Sequence, residues 1–222
     1  MKDLREVEAS SIKIIDDWCS IEELQYLIWS FEYDCDDKSL WEEVKQGENH
    51  FPRKLSSYLY DKSCRATQYI FSLRDKLIET ARDYFEYPTL FAGQSMLEGL
   101  IDSSFLDGLK PPAHYYELVL FLNDDFEGGE VVFNDRDIIV TPRAGSLLMF
   151  PSKELWTIKE VKGSSYKIRI KLTDKPEHRE DDPGYTKIPF SMKQSPTEQK
   201  GKVKKSKGCG GCVDPERKGL II

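Results

Sequence analysis

Histidine is scarce in this chain. There are three in 222 residues, His50, His114 and His178, and their spacing offers no metal-ligand pair. Cysteine is limited to five residues, an odd number at irregular intervals, which fits a reducing compartment better than a disulfide framework. No apolar run reaches the length of a membrane span. The opening "MKDLREVEASSIKIIDDW" is charged throughout and lacks the apolar core of a secretory signal, so the expected location is cytoplasmic or another reducing compartment. Basic charge is in deficit as well: 32 Lys and Arg stand against 39 Asp and Glu, a net charge of -7, which argues against a nucleic-acid binder. No internal repeat is present.

What remains is a folded chain of 25.7 kDa, 39% hydrophobic and 12% aromatic, read in three regions. Residues 1–87 are mostly helical: in "SIEELQYLIWSFEYD", Ser20 and Glu23 form a capping box ahead of Leu24, Leu27, Ile28 and Phe31 at helical spacing. The run "RATQYIFSLRDKLIETARDYFEY" repeats that pattern, and His50 falls in the loop before it. Residues 88–175 change period to short β-rich runs, "ELVLFLND", "GGEVVFND", "RDIIVTP", "GSLLMFPS" and "SYKIRIKLT", separated by turn clusters. Several strands at this spacing suggest a sandwich or barrel carrying the helices on its outer face, one domain with the preceding region. Residues 176–222 keep a few apolar anchors and then become Lys- and Gly-rich, an extended, flexible tail.

Three landmarks stand in a recognisable order: "LFLNDDFEGGEVVF", "VTPRAGSLLMFPS" and "VKGSSYKIRI". With them the segment from about Gly99 to Leu172 resembles the catalytic core of the prolyl-hydroxylase-like, iron- and 2-oxoglutarate-dependent oxygenases. The resemblance implies an α+β fold, a double-stranded β-helix or jelly roll with N-terminal support helices packed on the outer face of the sheet. It also implies a facial triad of two histidines and one carboxylate on Fe(II), and an Arg or Lys that anchors the distal carboxylate of 2-oxoglutarate.

This chain departs from that pattern at each point. The family's His-x-Asp pair matches Leu100-Ile101-Asp102, which keeps the aspartate and replaces the histidine. Aligning Ile158 and Val161 with the two valines after the distal histidine puts Trp156 at the metal position, and an indole nitrogen has no lone pair for a metal. Leu100 and Trp156 thereby make the former metal corner apolar. Asp102 is either a remnant ligand or a turn aspartate beside Ser103 and Ser104. The cosubstrate-anchoring position falls on Ser165 or Tyr166, with Lys167 and Arg169 the nearest basic side chains. Lys167 shares a strand face with Ser165 and is within reach of the same pocket, but simple alternation makes Lys167 and Arg169 the solvent-facing half of their strand.

Two functions follow as expectations. One is a non-catalytic oxygenase fold, free of cofactors, serving as a structural or interaction component, a virion protein among the options. The alternative is an active dioxygenase that hydroxylates a peptidyl, prolyl-type substrate through a non-standard iron site using Fe(II) and 2-oxoglutarate. The expected partner is a protein, reached through the tail: Cys209 and Cys212 form half a zinc site, and Leu220, Ile221 and Ile222 suit an added strand.

Overall fold

The computed structural model describes residues 1–6, 11–29, 42–46, 49–56, 65–101, 106–107 and 116–180, with backbone alone for 6, 42–46, 49–56, 65–68, 96–97, 100–101 and 106–107. Asp102, His114, Cys209, Cys212, Leu220, Ile221 and Ile222 lie outside the described residues.

Two helices precede most of the strands. Helix α1, Ile21–Trp29, begins where the sequence expects: the Glu23 amide donates to Ser20 Oγ at 3.3 Å, and the Ser20 amide donates to Glu23 Oε2 at 3.0 Å, a reciprocal capping box. Helix α2 runs Arg65–Phe85 and buries Ile70, Leu73, Leu77, Ile78 and Ala81, which recur at helical intervals on one face. Among the described residues no helix is long and apolar enough to cross a membrane.

The strands are β1 (Lys2–Asp3), β2 (Lys13–Ile15), β3 (Glu42–Gln46), β4 (Asn49–Ser56), β5 (Phe91–Ile101), β6 (Leu106–Asp107), β7 (Tyr116–Phe121), β8 (Glu127–Gly128), β9 (Val131–Phe133), β10 (Ile138–Val140), β11 (Leu147–Pro151), β12 (Trp156–Ile158), β13 (Val161–Lys162) and β14 (Ser164–Thr173). They form a seven-stranded sheet ordered β2-β11-β7-β14-β5-β4-β3, a five-stranded sheet ordered β1-β10-β9-β12-β6, and the pair β13-β8. The helical expectation for residues 1–87 is too simple, because β1 to β4 also lie there, and His50 sits in β4 opposite Lys45 rather than in a loop. A charged run such as "EEVKQ" gives no apolar alternation to betray a strand; its pairing comes from the neighbouring sheet edge.

Two cores flank the large sheet. On one side Leu118, Leu120, Leu147, Met149, Ile168, Ile170 and Leu172 meet both helices, and Phe85 of α2 stacks on Tyr116 with ring centroids 3.9 Å apart. On the other, Val119, Phe121, Leu148 and Phe150 meet Val131, Phe133, Val140, Trp156 and Ile158 of the small sheet. The helices therefore cover the outer face of a jelly roll whose interior lies between the sheets. Each large apolar side chain so enclosed contributes roughly 1.5–3 kcal/mol.

The N-terminal segment straps the edges. Strand β1 pairs in parallel with β10, and β2 pairs antiparallel with β11. Between them Arg5 grips Asp16 at 2.9 Å and donates to the Thr141 carbonyl at 3.0 Å, while the Ser146 hydroxyl donates to Asp16 at 2.6 Å. The Arg5 hydrogen bonds draw the Asp16 carboxyl down to about 2 against the opposing effect of burial. At the far end Glu180 seats the chain on β5, accepting from Ser95 Oγ at 2.7 Å and donating its amide to the Ala92 carbonyl at 2.7 Å.

The turn before β11 depends on Gly145. Its φ is +80°, and a Cβ there would stand 2.6 Å from the Cys19 carbonyl oxygen, while its own carbonyl accepts from the Trp18 and Cys19 amides. Gly145→Ala should therefore destabilise the chain by about 2–4 kcal/mol, measured as a lower urea midpoint with an unchanged slope.

Candidate functional site

Strand β14 positions the candidate site. Its side chains alternate, with Tyr166, Ile168, Ile170 and Leu172 turned to the helix layer. Ser165, Lys167 and Arg169 consequently face the jelly-roll interior. Lys167 is 3% exposed and the Arg169 side chain 12%, so the solvent-facing expectation for this pair is wrong. The reason is physical: a sheet covered by helices on one face and by a second sheet on the other has no solvent-facing half, and polar alternation then marks a buried polar site.

The interior supplies two carboxylates. Glu98, directly across from Lys167 in the β5–β14 register, is 3% exposed; its Oε2 lies 3.8 Å from Lys167 Nζ, and its Oε1 accepts from Arg169 Nη2. From β7, Glu117 is 1% exposed and lies 3.8 Å from Arg169 Nη1. Burial alone would ease proton loss from Arg169, but the charges of Glu98 and Glu117 outweigh it and hold the guanidinium's proton more firmly than usual. Sequence reasoning missed both glutamates. The available signal was a single acid inside each of two otherwise apolar runs, "SMLEGLI" and "YELVLFL", beside the alternating bases of "KIRIK".

Trp156 closes the cluster from the small sheet. Its ring lies under the Arg169 guanidinium, 5.4 Å from centroid to Cζ, a distance at which a cation and an indole face attract. Phe150 meets it edge-on at 5.9 Å, and Phe133 meets Phe150 the same way at 5.1 Å. Just upstream, Arg136 clamps Glu154 through two hydrogen bonds of 2.9 and 3.1 Å, fixing the turn that delivers Trp156. Leu100 stands opposite Ser165 in the β5–β14 register, one pair beyond Tyr166 and Gly99.

These residues do not fit the metal and cosubstrate that the resemblance implies. Trp156, which the sequence alignment sets at the distal-histidine position, packs its indole against Phe150 and the Arg169 guanidinium, and the leucine that the same alignment sets at the other histidine position has no donor atom. Among the described residues no three His, Cys, Asp or Glu side chains are grouped so as to hold a metal ion. The cations nearest the dicarboxylate position, Lys167 and Arg169, are both engaged by Glu98. What this arrangement can do chemically is hold opposite charges together in an enclosed interior.

Removing one member of a buried charge cluster leaves the others poorly compensated. Arg169→Met is expected to cost about 3–5 kcal/mol by leaving Glu98 and Glu117 without the guanidinium. The double substitution Arg169→Met with Glu117→Gln should recover part of that loss in the same urea titration.

No family model matches the chain, and no curated protein matches it in sequence. Solved structures do match in three dimensions. A 2OG-Fe(II) oxygenase family oxidoreductase from Burkholderia pseudomallei aligns with a TM-score of 0.57 at 15% identity, covering 80% of this chain and 91% of that one. A prolyl hydroxylase from Trichoplax adhaerens, in complex with a peptide fragment of the hypoxia inducible factor oxygen degradation domain, aligns at 0.58 with 14% identity, covering 79% and 88%. The prolyl-4-hydroxylase of Pseudomonas putida aligns at 0.56 with 14% identity, covering 73% and 92%. Landmark order, helix placement, sheet topology and these alignments agree: the chain has the double-stranded β-helix fold of the 2-oxoglutarate- and iron-dependent oxygenases of the prolyl-hydroxylase type.

Proposed function

We propose that this chain uses the oxygenase fold without oxygenase chemistry, as a structural or interaction component. The observation that supports the reading best is the packing of Trp156 beneath Arg169 while Glu98 and Glu117 neutralise the interior cations. An iron site in this corner would need imidazole where there is indole. A 2-oxoglutarate dianion would need cations that already carry internal counter-ions. In the neighbouring structures Fe(II) and 2-oxoglutarate belong to the family chemistry; here they would enter only with an unrecognised ligand set around Asp102.

An anaerobic titration with Mn(II), a redox-silent stand-in for Fe(II), with and without 2-oxoglutarate, tests the reading by calorimetry and Trp fluorescence. No saturable heat is expected up to high-micromolar metal. Tight binding that 2-oxoglutarate enhances and Asp102→Ala abolishes would establish the dioxygenase alternative instead.

The interaction itself is assigned to the C-terminal segment, where Cys209 and Cys212 form a C-x-x-C pair and Leu220-Ile221-Ile222 closes an otherwise polar stretch. Deleting the residues after Gln194 should leave the thermal midpoint within about 2 °C. It should also remove self-assembly or partner capture in sedimentation velocity, and an unchanged assembly profile would count against the segment.

A further inference from the structure

The interior charge cluster is more than a salt bridge placed in a core. Lys167 and Arg169 project from adjacent same-face positions of β14, and Glu98 reaches both of them with one carboxylate, Oε1 to Arg169 and Oε2 to Lys167. That is the geometry by which a protein receives a carboxylate ligand: two cations converging on the two oxygens of one group, enclosed by walls that exclude water. Trp156 supplies the far wall and Glu117 balances the second face of the guanidinium. In the β4–β5 register Lys54 also stands opposite Glu98.

We infer that the jelly-roll interior is a carboxylate-binding site which the chain fills with its own Glu98, so that Glu98 is a permanent internal ligand excluding free carboxylates. The inference deepens the functional reading above and rests on it for one point, that no cosubstrate competes with Glu98 in the native chain. Three features support it. Glu98 is almost wholly enclosed, where a carboxylate charge needs partners of opposite sign. Its two oxygens are divided between two cations, one each. Its strand position directly opposite Lys167 makes the contact a fixed consequence of the register.

The test is chemical rescue. Glu98→Ala removes the carboxylate and leaves a space lined by two cations, and its thermal midpoint should fall by about 6–20 °C, the loss expected for one partner of a buried pair in a chain of this size. Acetate or propionate is then titrated against chloride at matched ionic strength. At about ten times its dissociation constant a bound carboxylate adds roughly 3–6 °C. The Glu98→Ala midpoint should rise by that amount in acetate and stay flat in chloride, whereas the wild-type midpoint should shift by less than about 1 °C in either. Adding Lys167→Met to Glu98→Ala should abolish the acetate response.

Equal response of wild type and Glu98→Ala to acetate, or no response of a folded Glu98→Ala, would overturn the inference and leave Glu98 a purely structural ion-pair partner. If Glu98→Ala is unfolded in chloride, far-UV circular dichroism during the same titration decides: refolding by acetate supports the site, and failure to refold overturns it. The functional reading falls separately, on metal and 2-oxoglutarate binding by the wild-type chain.

Discussion

The contact of Arg169 with Glu98, Glu117 and Trp156 adds charge to a junction of three strands and two sheets. Three neighbouring strands of the large sheet, β5, β14 and β7, supply the charges, and β12 of the small sheet supplies the ring. A charged cluster in a dry interior has little latitude. Each oxygen and each N–H must meet its counterpart or bear a desolvation penalty of several kcal/mol. Strand register, sheet spacing and the turn before Trp156 therefore have to be right together, and the apolar packing around the cluster fills in what this constraint has already aligned.

Other contacts hold the frame of the jelly roll. Gly145 at its positive φ and Asn123, which accepts from the Tyr166 amide at 2.7 Å and donates to the Ser164 carbonyl at 2.7 Å, maintain the turns and strand starts of the jelly roll. They act on the backbone and are indifferent to what the interior contains. The interior side chains of such a fold can then vary without disturbing the frame.

Much of this was legible in the sequence, for identifiable reasons. The capping box of Ser20 and Glu23 and the helical spacing of Leu73, Leu77 and Ala81 are local signals, and the strands that carry the three landmarks alternate strongly enough to be read. The placement of helices outside the sheet followed from the order of the elements. The strands β3 and β4 were not legible, because a strand without apolar alternation owes its conformation to its neighbours, β4 and β5 here. Lys167 and Arg169 were misjudged because alternation states which residues share a face, whereas the cover on that face is decided by strands far away in sequence. Glu98 and Glu117 stayed invisible for a related reason: a carboxylate gains meaning only once the register names its opposite, as β5 and β14 do for Glu98 and Lys167.

The N-terminal strap has a consequence for synthesis. Lys2 pairs with Ile138, and Ile15 with Leu147, each joining one edge of a sheet to residues made more than a hundred positions later. At roughly 5–20 residues per second, the first strands leave the ribosome on the order of ten seconds before their partners exist. Until then both the strap and the edge strands of the growing sheets present unpaired backbone, the surface on which chains add to one another. Closing the strap is thus a late event in the life of a nascent chain, and it leaves β1 and β2, strands of only two and three residues, as the sheet edges on that side.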